Sequence, residues 1–170
     1  MNAVEEIKFK DKHILIYIDP DPQSPRDDDN LGTILYTSYR YTLGDKRVDI
    51  NEIEDITKSK ALWLPVYAYI HSGIVLNTTG FSCRWDSGQC GIIYTDRDKV
   101  LSWFRRKKMS AELKAQVMQI LNFEVEEFSS YVSGECYGWQ IFGGDGSPED
   151  SCGGYYDFDY CKSEALAQAV

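Results

Sequence analysis

The sequence predicts an α+β fold: an antiparallel, meander-like sheet packed against a few helices in a single globular domain spanning 1–170. Three observations predict it. Short β-branched and aromatic runs separated by Gly-bearing turns cluster between residues 13 and 94. Helical periodicity clusters after them, between residues 95 and 131. Strands that group with strands, and helices with helices, argue against βαβ winding. With 170 residues, 43% of them hydrophobic and 14% aromatic, the chain can bury a substantial core without disulfides.

The elements follow in order. Residues 13–18 are apolar, short and rich in isoleucine, which reads as a buried strand. They run into 19–32, DPDPQSPRDDDNLG, where prolines, Asx-turn residues and a closing glycine predict a rigid connection. Residues 33–41 read as a second strand entering the turn Leu43-Gly44-Asp45. Ile50, Ile53 and Ile56 give 49–60 one apolar helical face. Residues 63–70 form a strand at an edge or a bulge, because Pro65 has no N–H to donate. The turn His71-Ser72-Gly73 leads to strands at 74–76 and 81–85, and 92–94 closes the β-rich part. Thr95 is the expected N-cap of a helix with Val100, Leu101, Trp103 and Phe104 on one face. Ser110 caps a further helix, in which Leu113, Val117, Ile120 and Leu121 recur, and Phe123, Phe128 and Tyr131 extend it or form a second one. Residues 137–142 and 155–160 predict a closing β pair around the glycine-rich turn 143–148, with 163–170 a terminal helix or tail.

Charge narrows the function. A formal net charge of −9 and a pI near 4.7 oppose nonspecific attraction to nucleic acid or anionic lipid, so neither direct nucleic-acid binding nor a membrane is expected. No leader pattern or membrane-length apolar run is evident, and the expectation is a cytoplasmic protein. The odd set Cys83, Cys90, Cys136, Cys152 and Cys161 lacks the compact spacing of a disulfide framework or a structural zinc site. No dinucleotide or P-loop fingerprint is present, and no cofactor is expected.

The middle helices are basic, through Arg97, Lys99, Arg105, Arg106, Lys107, Lys108 and Lys114. From 124 to 159 the chain has no Lys or Arg and carries Glu124, Glu126, Glu127, Glu135, Asp145, Glu149, Asp150, Asp157 and Asp159. This stretch is the expected acidic face, with Tyr155 and Tyr156 as anchors for a basic protein partner; the plainer reading is a solvated surface.

Two chemical readings compete with binding. Asp19, Asp21 and Gln23 imitate an EF-hand loop, but the sixth and twelfth positions, Ser24 and Asn30, break the pattern; Asp19, Asp27 and Asp29 remain as a carboxylate metal alternative. The turn reading is stronger, with Asp29 and Asn30 as buried organisers and Arg26 reaching inward to Asp29 or Asp86. The stretch 81–91, FSCRWDSGQCG, contains Cys83 and Asp86, and His71 is the accessible base; together they outline a cysteine or serine hydrolase, metal-assisted if the Asp-rich loop joins them.

These motifs in combination resemble a widespread family of small proteins encoded by phages, plasmids and prophages. The resemblance rests on Ser24-Pro25-Arg26 with Asp29-Asn30-Leu31-Gly32, Tyr41 with Leu43-Gly44-Asp45, His71-Ser72-Gly73, Phe81-Ser82-Cys83 with Trp85-Asp86-Ser87-Gly88-Gln89 and Gly91, Gly134-Glu135 with Tyr137-Gly138, and Asp150-Ser151-Cys152. Asp28 and Gly153 stand where that pattern has tryptophan, and Cys90 where it has an aliphatic residue, which counts against a catalytic or zinc role for Cys90. The resemblance carries no reaction. Its mobile-element setting implies a counter-defence protein of anti-CRISPR or antirestriction type, whose partner would be a host nuclease or CRISPR effector complex.

Overall fold

The computed structural model describes residues 3–170, and its elements are those of an α+β protein with two mostly antiparallel sheets. In chain order the strands are β1 (Ala3–Phe9), β2 (Lys12–Ile18), β3 (Thr33–Tyr36), β4 (Lys46–Arg47), β5 (Leu62–Ile70), β6 (Ile74–Asn77), β7 (Ser87–Thr95), β8 (Tyr137–Phe142) and β9 (Pro148–Tyr155). The helices are α1 (Ile50–Lys58), α2 (Arg97–Trp103), α3 (Ala111–Ser133) and α4 (Phe158–Gln168). The chain forms two compact units. The first comprises the described residues up to Ser24 together with Ser130–Val170; the second is Pro25–Ser129.

In the first unit, strict alternation makes the core. Ile14 and Ile16 of β2 stand opposite Ile141 and Trp139 of β8, and all four are buried on one face of the sheet β1-β2-β8-β9. Helix α4 belongs to the same core through Cys161, Ala165 and Ala169, small residues at four-residue spacing that let the helix lie close to the sheet. On the opposite face Tyr17 pairs with Gly138, and a Cβ at Gly138 would fall 2.7 Å from the tyrosine ring. A side chain at 138 would require that ring to shift.

The expected strand at 155–160 is corrected. β9 ends at Tyr155, and Asp157 accepts a 2.6 Å hydrogen bond from the Tyr160 amide, which caps α4. Alternating aromatic and acidic residues suit a strand, but a side-chain cap supplies a helical amide with an acceptor and starts the helix instead.

The second unit holds the sheet β4-β3-β7-β5-β6, antiparallel except for the short β3–β4 pairing. Leu35, Ile53 and Ile92 form a buried cluster joining β3, α1 and β7. Pro65 sits where its sequence context predicts. β6 pairs only with Tyr67–Ile70, so Pro65 occupies a stretch of β5 paired on one side alone, next to a bulge at Val66/Tyr67. Residues 81–85 do not form the expected strand. The Asn77 side chain accepts from the Gly80 amide at 2.7 Å and turns the chain into a loop. Thr95 ends β7, leaving Asp96 at the N-cap of α2. Ser110 does cap α3, accepting from the Leu113 amide at 3.2 Å, and α3 is one continuous helix of 23 residues.

Candidate functional site

The acidic residues expected to form one face are divided between the units. Asp145, Glu149, Asp150, Asp157 and Asp159 belong to the first and are exposed; Glu124, Glu126 and Glu127 lie on α3 in the second. The division of charge is uneven. The first unit carries twelve Asp and Glu against four Lys, the second fifteen against fourteen Lys and Arg, so nearly all of the net negative charge resides in the first.

Within the first unit the acidic residues follow β9, the edge strand of its sheet, whose residues are exposed from Pro148 through Gly154. Two register shifts against β8 bulge this strand. Bulges, Pro148 and adjacent carboxylates all disfavour pairing with an identical edge. Glu149 is in contact with Lys12 at 3.2 Å, Asp145 accepts from the Ser147 amide and hydroxyl at 2.9 and 2.6 Å, and Asp150 accepts from the Ser151 amide at 2.8 Å. The Ser147 bonds hold Asp145 below the usual carboxylate range. The tyrosines are half-buried props of this edge. Trp139 Nε1 donates to the Tyr155 hydroxyl at 3.1 Å, the Tyr156 hydroxyl donates to the Gln23 carbonyl at 2.7 Å, and burial pushes the Tyr155 hydroxyl up to about 12.

Glu124 is a correction to the expected face. It is buried at the centre of the second unit, where its carboxylate meets Arg26 Nη1 at 3.0 Å, and both side chains are 7% exposed. The same carboxylate accepts the Leu31 amide at 2.7 Å and the Gly32 amide at 3.0 Å. Arg26 also binds Asp45 through Nε at 2.9 Å and Nη2 at 2.8 Å, reaches the Asn30 side-chain oxygen at 3.0 Å, and donates to the Gly32 carbonyl at 2.8 Å. Burial opposes the arginine charge, but the bonds and charges of Asp45 and Glu124 outweigh it and leave its pKa raised. Arg26 therefore turns inward, and the carboxylates seen to bind it are Asp45 and Glu124. The organiser of the loop is half-buried Asn30, which donates to the Pro25 and Asp28 carbonyls at 2.8 and 2.9 Å; Asp29 is exposed. Sequence carried no signal for a contact 98 positions apart, although the Asp45 turn and the Arg26 loop each stood out separately.

Glu127, one turn from Glu124, is held above the ordinary carboxylate value by burial first, then by Glu124 and Asp28. A carboxyl whose folded pKa is raised destabilises the fold once it ionises. Glu127→Gln is therefore expected to raise the urea midpoint at pH 7. The gain should shrink as pH falls through the raised value and vanish below about 4.5, where a free glutamate also protonates; an equal gain at pH 3.5 would contradict the assignment.

The alternative catalytic residues do meet. His71 Nδ1 and Cys83 Sγ lie 3.5 and 3.7 Å from the same oxygen of Asp86, and Ser87 Oγ donates to the Cys83 carbonyl. The order is unsuited to nucleophilic catalysis, because the carboxylate stands between thiol and imidazole, and among the described residues no hydrogen bond joins Cys83 to His71. Asp19 is engaged with the Gly154 and Asp21 amides at 3.1 Å each in the first unit, while Asp27 and Asp29 lie exposed in the second. Among the described residues no group of three or more His, Cys, Asp or Glu could hold a metal ion, and no helix is long and apolar enough to cross a membrane.

The class that these observations define is an α+β protein of two compact units with an acidic, bulged sheet edge. No protein-family model matches the chain, and neither a curated protein nor a solved structure was found to match it.

Proposed function

We propose that this chain is a binding protein of the counter-defence type, acting in the host cytoplasm, and that its acidic first unit occupies the basic nucleic-acid channel of a host nuclease or CRISPR effector complex. The observation that carries this reading is the segregation of charge: twelve acidic side chains against four lysines in the first unit, with Asp145, Glu149, Asp150, Asp157 and Asp159 exposed along and beside β9. A row of carboxylates at a sheet edge presents negative charge as a phosphate backbone does, and a basic channel gains by exchanging its counterions for it. A second copy of the edge is repelled by the same charge. A cationic surface is not.

The test is charge reversal of Glu149, Asp150 and Asp159, which are exposed and cap no helix. The triple Lys variant should lose about tenfold or more in affinity for the captured nuclease complex at low salt and show a flatter salt dependence, while its far-UV spectrum stays that of the folded protein. Capture from a nuclease-treated host lysate supplies the partner. Undiminished inhibition by the triple variant would sink the proposal, and so would the absence of any nuclease component among stoichiometric partners.

A hydrolase reading keeps one supporting observation, the convergence of His71 and Cys83 on Asp86. It lacks a base in contact with a nucleophile, which is why binding is preferred.

A further inference from the structure

A wide-mouthed cavity of about 510 Å3 lies on the second unit beside the β5–β7 pair, with His71 and Asp86 in its wall. Its size falls in the range of small-molecule sites, about 300–1,000 Å3. The floor is low because Ala68 of β5 stands opposite Gly88 of β7, and a Cβ built on Gly88 would meet nothing within 4 Å. Three of the groups that line it, Trp85, Arg40 and Asp86, have chemistry to offer a ligand. Trp85 is 96% exposed, an indole with both faces open to solvent. The Arg40 guanidinium lies 5.2 Å from the centre of the Tyr41 ring and has no ion-pair partner among the described residues. Asp86 is oriented by His71 at 3.5 Å, yet its side chain remains 39% exposed and can accept further hydrogen bonds.

We propose that this cavity binds a nucleoside monophosphate, with the base stacked on Trp85, the phosphate on Arg40 and sugar hydroxyls donating to Asp86. An exposed indole gains most from a planar π-system, an unpaired guanidinium from an anion, and a carboxylate beside them from neutral hydroxyl donors. One ligand class carries all three groups. Arg40 is the one lysine or arginine in the lining, enough for a single phosphate and too little for a strand, so the ligand is a free mononucleotide. The site does not rest on the function proposed above.

Calorimetric titration of the whole protein tests it, using AMP, GMP, CMP and UMP, the nucleoside matching the best binder, inorganic phosphate, and a single-stranded hexanucleotide. At least one mononucleotide should bind. Its nucleoside and phosphate alone should each bind about tenfold or more weaker, and the hexanucleotide no tighter. Trp85→Ala and Arg40→Ala should each reduce affinity about tenfold with an unchanged melting temperature, since both side chains are exposed. Asp86→Asn should weaken the ribonucleotide more than its 2′,3′-dideoxy analogue. The inference is overturned by no heat with any mononucleotide at millimolar concentration, by full affinity in both alanine variants, or by a hexanucleotide that binds tenfold tighter.

Discussion

Glu124→Ala is expected to cost about 3–5 kcal/mol of stability, the loss found when one member of a buried ion pair is removed. The truncation removes one of the two carboxylates that Arg26 binds and leaves the Leu31 and Gly32 amides without their carboxylate acceptor. Unfolding in urea measures it as a lower midpoint. Glu124→Gln should fall between the wild type and alanine, because an amide oxygen can still accept from the two backbone groups while the charge is lost. The double variant Arg26→Met with Glu124→Leu should recover part of the alanine loss, since apolar side chains of similar volume need no partner. A Glu124→Ala protein within about 1 kcal/mol of wild type would show that the network is not what organises the loop.

Gly91→Ala should be at least as damaging for a purely steric reason. Gly91 of β7 pairs with Tyr36 of β3, and a Cβ there would lie 1.9 Å from the Leu35 carbonyl oxygen and 2.9 Å from its carbon. Both are backbone atoms, so no rotamer change relieves the overlap and the β3–β7 ladder must separate. The expected loss exceeds about 3 kcal/mol, visible as loss of far-UV strand signal or as fast amide exchange across β3. Gly88→Ala, three positions earlier on the same strand, is the control. Its Cβ would meet nothing within 4 Å, and its stability should stay within about 0.5 kcal/mol of wild type.

The contrast between these glycines shows where sequence reading stops. Both lie between the strands expected at 81–85 and 92–94, and only the approach of β3 to β7 makes one of them indispensable. The same holds for the acidic stretch. Its composition suggested an acidic face, and Asp145, Glu149, Asp150, Asp157 and Asp159 are exposed, but Glu124 has the same chemistry and is buried. Its place three residues after Leu121 and seven after Val117, on the apolar stripe of α3, put it near the buried face; the charge obscured that signal.

Local patterns alone determined the α+β class, the extent of β2, β5, α1 and β8, the Ser110 cap and the special position of Pro65. Each of these depends on neighbours within one turn or one pleat, which is the range over which periodicity, capping and the missing proline N–H act. Tertiary structure alone decided that Arg26 joins Asp45 and Glu124, that Asp157 starts a helix instead of continuing a strand, and that the acidic charge belongs almost wholly to one unit. Those outcomes depend on which distant groups arrive to satisfy a buried charge or an open amide. Chain order does not encode that encounter, whereas the free energy of leaving such a group unpaired enforces it.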